Sequence, residues 1–229
     1  KRLKELIDSY KLVDYNDFKE IKYDHQYPNP YNFSWMDINY LDKIESNLYP
    51  DISKLIIRLQ KWNRKADINS LGAGTFAVLY SKLRPFYKKL PEPKIFPSSF
   101  IIQALRDTKK HLLKYFKTID VTLGDYQKLV RGDKEVPIYG LPDVITSMSA
   151  RPYKDGKVKV VSGESYIELV KFTSEGPEIE SVISYGSSDH PDSPHYHDQM
   201  GLYSSFRTKK MSLNKEKIYS EGKKIYNPK

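Results

Sequence analysis

Near Asp120 the hydrophobic residues change period, and this change constrains the fold more than any other feature of the chain. Upstream, apolar positions recur at helical spacing. Residues 1–10 place Leu3, Leu6 and Ile7 on one face, and residues 15–23 predict a second short helix with Asn16 as its cap. Two prolines within residues 27–31 break the pattern, and residues 36–48 are expected to resume it. Ile52, Leu55, Ile56 and Leu59 form an apolar stripe that ends near Trp62. Ser70 precedes a run over residues 71–90 carrying Phe76, Leu79, Tyr80 and Leu83, which Pro85 kinks or ends. After a loop at residues 91–97, Ser98 or Ser99 caps a helix whose apolar side holds Ile101, Ile102, Leu105, Leu112, Leu113 and Phe116.

Downstream the signals are those of strands. Residues 157–161, 165–172 and 178–185 alternate, and the link at 173–177 contains Gly176. Three short strands with tight links predict an antiparallel sheet. A closing helix is expected over residues 194–206, begun by Pro194 and capped by Asp192 or Ser193. The fold class is therefore α+β: a mostly helical segment over residues 1–118, then a mixed segment over residues 119–229 with antiparallel strands and a basic tail.

Composition excludes several classes. The 229 residues fit one large domain or two small ones, and 39% hydrophobic content with 19 Tyr argues against global disorder. The absence of cysteine removes disulfides, zinc–thiolate sites and cysteine nucleophiles. No apolar run approaches the roughly 20 residues of a membrane span. The opening residues are amphipathic and too polar for a signal-peptide core. Net charge is +9, but residues 207–229 hold eight Lys/Arg against two Glu, so +6 of it sits in the last tenth of the chain. Charge so concentrated is expected in a solvated terminus rather than a diffuse polyanion-binding surface, and no nucleic-acid partner is predicted.

Spacing alone exposes no catalytic centre. His195 and His197 cannot share a metal on a helix but share a face on a strand, so with Asp189 and Asp192 they form a candidate metal cluster. The same loop reads first as polar turn residues satisfying local backbone, and that reading is preferred to the metal cluster. Gly163-Glu164-Ser165 lacks the second glycine of a nucleophile elbow, and Gly72-Ala73-Gly74 lacks the strand and third glycine of a dinucleotide site. Both read as packing and turn features. His25 and His111 stand alone.

The order of the segments says more. Leu59, Trp62, Asn63, Ala66, Asp67 and Ser70 give L-x-x-W-N-x-x-A-D-x-x-S; residues 129–137 give L-x-R-G-D-x-x-V-P. Gly140, Pro142, Asp143 and Val144 follow, then Ser162-Gly163-Glu164-Ser165-Tyr166, then Tyr185-Gly186-x-Ser188, Ser193-Pro194-His195-Tyr196 and Asp198-Gln199. This series, over residues 1–206, resembles the C-terminal part of the β subunit of the penicillin acylase family, with the acyl-homoserine lactone acylase branch most similar. The resemblance implies the C-terminal portion of an N-terminal-nucleophile hydrolase with an αββα sandwich, cut from a precursor. It implies hydrolysis of a small acylated amine by an N-terminal serine whose own amino group is the base. The partners implied are an α subunit and the N-terminal part of the β subunit. A periplasmic or extracellular setting is also implied, as is a structural calcium held upstream; no cofactor is expected within these residues.

The chain opens on Lys1, not Ser, so the nucleophile and the oxyanion Asn are expected upstream, and the isolated chain is expected to be inactive. One residue carries over: Arg2, in R-L-K-E-L, falls where the family has an Arg that supports the oxyanion Asn, a role suited to a rigid, permanently charged fork. The loop ending in Asp198-Gln199 is expected to end a sheet and start a helix. A stand-alone binding module whose basic tail meets an anionic partner is the alternative function, and a metal-dependent hydrolase is a third.

Overall fold

The computed structural model describes residues 1–28, 39–91 and 95–222. Parts of four sequence expectations lie outside them: most of the proline break at 27–31, the start of the helix at 36–48, the middle of the loop at 91–97, and residues 223–229 of the basic tail. The chain forms two compact units, Lys1–Glu164 and Ser165–Lys229.

The first unit begins with helices α1 (Arg2–Asp8) and α2 (Tyr15–Lys22). Asp14, not Asn16, caps α2: its carboxylate accepts from the amides of Asn16 and Asp17, while Asp17 reaches back to the Asp14 amide. The reciprocal pair satisfies N–H groups that a helix start leaves without partners. Residues 39–48 hold two short 3₁₀ turns, Asn39–Lys43 and Ser46–Leu48, in place of a helix. Helix α3 (Ser53–Lys61) buries Leu55, Ile56 and Leu59, as its stripe predicts.

Helix α4 (Leu71–Leu83) is the centre of this unit and is buried almost throughout. Ser70 accepts from the Ala73 amide and starts it. The chain leaves α-helical geometry just before Pro85 and continues as a 3₁₀ turn, Arg84–Lys89. Gly72-Ala73-Gly74 is a packing feature. A Cβ on Gly72 would strike the Trp62 ring; one on Gly74 would meet the Val121 carbonyl and lie 2.7 Å from the carbonyl carbon of Thr122. Tyr27, Trp62 and Phe76 meet with ring centroids 5.2–6.0 Å apart. Their polar ends are satisfied: the Tyr27 hydroxyl donates to the Pro142 carbonyl at 2.7 Å and the Trp62 indole to that of Lys65 at 2.9 Å.

Helix α5 (Ser98–Phe116) starts without a serine cap; Pro97 precedes it, and no side chain bonds its first amides. It buries Ile101, Ile102, Leu105 and Leu112 as expected, but Leu113 is exposed, and Ala104 and Thr108 complete the inner face. A short α6 (Leu123–Tyr126) carries a second capping box, Thr122 with Asp125.

Sequence reading missed the sheet that follows. It has the order β2-β1-β4-β3, built from β1 (Gln127–Arg131), β2 (Lys134–Pro137), β3 (Ser149–Pro152) and β4 (Val158–Ser162). β1 runs parallel to β4; the other neighbours are antiparallel. The β1–β2 hairpin turns through Gly132-Asp133, with Gly132 at φ +60°. A glycine opening a two-residue turn is a strong hairpin signal.

In the second unit, β5 (Tyr166–Thr173), β6 (Gly176–Ile183) and β7 (Lys209–Met211) form an antiparallel sheet in that order. The β5–β6 hairpin is the predicted one. The strand predicted at 157–161 in the same sheet forms as β4 in the first unit instead, because β1 and β3 supply its partners. The closing helix shrinks to α7 (Met200–Tyr203), with Gln199 at its start. Residues 207–222 of the basic tail are structured: Lys209–Met211 pair with Ile179–Ser181, and α8 (Lys215–Glu221) follows with Asn214 as its cap. The helices and antiparallel pairs make the fold α+β.

Candidate functional site

Arg2, the site residue named from sequence, sits on the first turn of α1 and reaches Asp24, just beyond α2. Its Nε donates to Asp24 Oδ1 at 3.2 Å and its terminal nitrogen to Oδ2 at 2.7 Å. The Arg2 side chain is 24% exposed and that of Asp24 11%. A two-point pair of this kind fixes the plane of the guanidinium as well as its position. The hydrogen bond from Arg2 to Asp24, reinforced by their charges, outweighs partial burial and raises the Arg2 pKa above its ordinary range. Arg2 therefore stays charged.

Asp24 is itself held. Its Oδ1 accepts from the Gln26 amide at 3.1 Å, and its carbonyl accepts from the Thr146 amide at 3.3 Å. The adjoining His25 carbonyl accepts from the Ala66 amide at 2.8 Å, and the Ala66 carbonyl accepts from the Gly140 amide at 2.9 Å. The Arg2 clamp is thus tied through main chain to the buried strip around Ala66. No periodicity links residues 22 apart, so Asp24 was not visible as a partner from sequence.

The loop over residues 186–199 does not bring Asp189, Asp192, His195 and His197 together. Among the described residues no group of three or more His, Asp or Glu is placed to hold a metal ion. His195 Nδ1 instead pairs with Asp198 Oδ2 at 2.8 Å, and the His195 carbonyl accepts from the Ser188 amide at 3.1 Å. Gly186 packs against the same carbonyl; a Cβ there would overlap it and lie 2.7 Å from Asp198 Oδ1. Buried Gln199 closes the loop: its side-chain oxygen accepts from the Ile183 amide at 3.2 Å, and its own amide donates to Tyr185 at 2.8 Å. These bonds explain the missing helix. Main-chain groups of residues 186–199 are spent on turns and on the end of β6, so helical pairing begins only at Met200.

His111 was read as isolated. It is half-buried on α5, one turn and two turns beyond Thr108 and Ala104 on the same face, a phase that the helical spacing contains. Its Nε2 lies 2.7 Å from the Gly156 carbonyl and its Nδ1 3.4 Å from Lys82 Nζ. Burial, with the Lys82 and Lys114 charges, lowers its pKa against the raising effect of the Gly156 carbonyl.

Sequence comparison decides the family. The model of the penicillin amidase family matches residues 1–220. The chain belongs to the penicillin amidase family. The acyl-homoserine lactone acylase PvdQ of Pseudomonas savastanoi pv. phaseolicola is 25% identical over 201 residues, covering 77% of this chain and 26% of that protein. The PvdQ acylase of Pseudomonas fluorescens strain Pf-5 is 30% identical over 106 residues, 45% of this chain and 14% of that one. Aculeacin-A acylase of Actinoplanes utahensis is 27% identical over 169 residues, 67% and 21% respectively. The chain thus spans about a quarter or less of the length of these relatives. A solved structure of a thermostable penicillin G acylase from Alcaligenes faecalis aligns over 100% of this chain and 52% of its own, with TM-score 0.47 and 13% identity. No helix among the described residues is long and apolar enough to cross a membrane.

Proposed function

We propose that these residues form the C-terminal part of an amidohydrolase that cleaves a linear acyl amide. The nucleophile is an N-terminal serine on a segment preceding this region. The observation that carries the reading is the family match over residues 1–220, joined to relatives named for removing acyl groups from homoserine lactones and from aculeacin A. In this reading the serine hydroxyl attacks the amide carbonyl, its own amino group takes the proton, the amine leaves, and water releases the acid from the acyl-enzyme. The partners are an α subunit and the N-terminal part of the β subunit, and the setting is periplasmic or extracellular.

Arg2 serves as a positioning residue. A charged guanidinium anchored at two points on Asp24, its other terminal nitrogen 3.9 Å from a Glu5 carboxylate oxygen, orients the Asn side chain that stabilises the oxyanion. Asp24 keeps that guanidinium in one plane.

The test is hydrolysis of an N-acyl-homoserine lactone by the complete protein, followed as fatty-acid release with a burst of acyl-enzyme. Failure to cleave acyl-homoserine lactones, acylated β-lactams and aculeacin A alike would overturn the amidase reading. Turnover by the 229-residue chain alone would overturn the placement of the nucleophile.

A further inference from the structure

We infer that the cavity bounded by α4, α5 and the β3–β4 hairpin of the first unit binds a small carboxylate with an apolar body. Its volume is about 450 Å³, within the size class of small-molecule pockets. The inference does not depend on the amidase reading; neither Arg2 nor Asp24 lines this space.

Two properties of the lining select the ligand. The walls are aromatic and apolar: Tyr115, Tyr126 and Tyr153 line them together with buried Met148. The charged residues of the lining are of one sign, although Asp125 and Glu135 stand close enough to Lys157 to offset it. Lys82, Arg84 and Lys157 line the cavity with His111, and the described residues of the lining include no Asp or Glu. Among the described residues Lys82 makes no ion pair, so an ammonium stands at a partly apolar wall without a carboxylate to offset it. An incoming anion would gain charge-assisted hydrogen bonds there.

His111 sets the direction of that charge. Burial keeps its ring neutral at neutral pH, so Nε2–H donates to Gly156 and Nδ1 accepts from Lys82. One ammonium hydrogen is committed to His111, and Lys82 has two more for a ligand carboxylate. Tyr80, whose pKa burial pushes up to about 12, adds no negative charge near neutrality. A neutral amide of the same shape would keep the apolar contacts and lose the charge-assisted bonds; an amine of the same shape would be repelled.

The test reads the cavity from inside. The Met148 methyl resonance, assigned by its loss in Met148→Leu, is followed while 2-naphthoate, 2-naphthamide or 2-naphthylmethylamine is added up to millimolar concentration. The expected result is a saturable Met148 shift with the naphthoate that weakens as salt is raised. Affinity for the amide should be about tenfold lower, in line with loss of a charge-assisted hydrogen bond, and the amine should cause no shift. Lys82→Met should weaken naphthoate by a similar factor, and Ala150→Leu should abolish binding by filling the space from β3. Equal binding of acid and amide, an unchanged affinity in Lys82→Met, or no saturable shift of Met148 would overturn the inference. If either variant fails to fold, the acid-to-amide ratio and the salt dependence in the unaltered protein decide it.

Discussion

The two units are stabilised in different ways. In the first, α4 is buried from Gly72 to Tyr80, and the core cluster running from Tyr27 to Val144 lies wholly within the unit. In the second, β5 buries Ile167 and Leu169 on one face and leaves Tyr166 and Phe172 exposed on the other, Phe172 by 85%. The loop over residues 186–199 is held by main-chain and side-chain hydrogen bonds centred on Gly186 and Gln199. Shape governs the first region and bond directionality the second. Added volume should therefore be the most damaging change in one, and a lost acceptor in the other.

The largest effect is expected at Gly74. Gly74→Ala forces a methyl onto the carbonyls after α5, where backbone rather than a flexible side chain must move. A loss of about 3 kcal/mol is expected, the upper end for overpacking, read as a shift in denaturant midpoint. If Gly74→Ala costs no more than a surface substitution, the description of the first unit as shape-limited fails.

Gln199→Leu tests the other side of the comparison. It keeps the volume but strands the Ile183 amide, at a cost of about 2 kcal/mol. Hydrogen exchange should show faster exchange at Ile183, with the amides of α4 unchanged. Equal loosening of both units would show that they are not separately held.

Asp24→Asn should cost about 1.5 kcal/mol in stability, because it removes the charge partner of a partly buried guanidinium. If Arg2 positions the oxyanion site, kcat of the complete protein should also fall by roughly tenfold with KM little changed. A stability loss with unaltered kcat would leave the pair structural.

The smallest effect concerns pH. The folded His111 pKa is depressed below its ordinary value of 6.5, so the unfolded chain binds the proton more readily. The stability that neutral His111 contributes is complete above that value and declines as pH falls from there through the folded pKa, when a second cation forms beside Lys82. Melting temperatures measured across that range should decline less steeply in His111→Gln, whose amide can donate to Gly156 and accept from Lys82. An identical slope would remove His111 as the cause.

Much of this was legible beforehand. The stripe at Leu55, Ile56 and Leu59, the helix start after Ser70, the break at Pro85 and the hairpin at Gly176 are local events, set by neighbours within a few residues. Expectations failed where one local preference met a competing local one or a distant partner. Asn16 lost the cap to Asp14, because Asp14 and Asp17 satisfy each other. The strand at 158–162 left its sequence neighbours, because β1 and β3 were available to pair with it. The helix expected from Pro194 gave way to turns closed by Gln199 on Ile183.

The sequence by itself determined the α+β class and, through the order of its short motifs, the penicillin amidase family. Both follow from periodicity and residue order, which are properties of the chain before it folds. The ordered motifs also prove to be structural: Trp62 lies under α4, Ser70 caps it, Gly132 turns a hairpin, and Gly186 and Gln199 shape the loop. Only the tertiary structure decided which polar groups meet. Arg2 finds Asp24, and His111 finds Lys82 and Gly156. Such pairings depend on distances of a few ångströms between side chains on different elements, and no spacing along the chain encodes them.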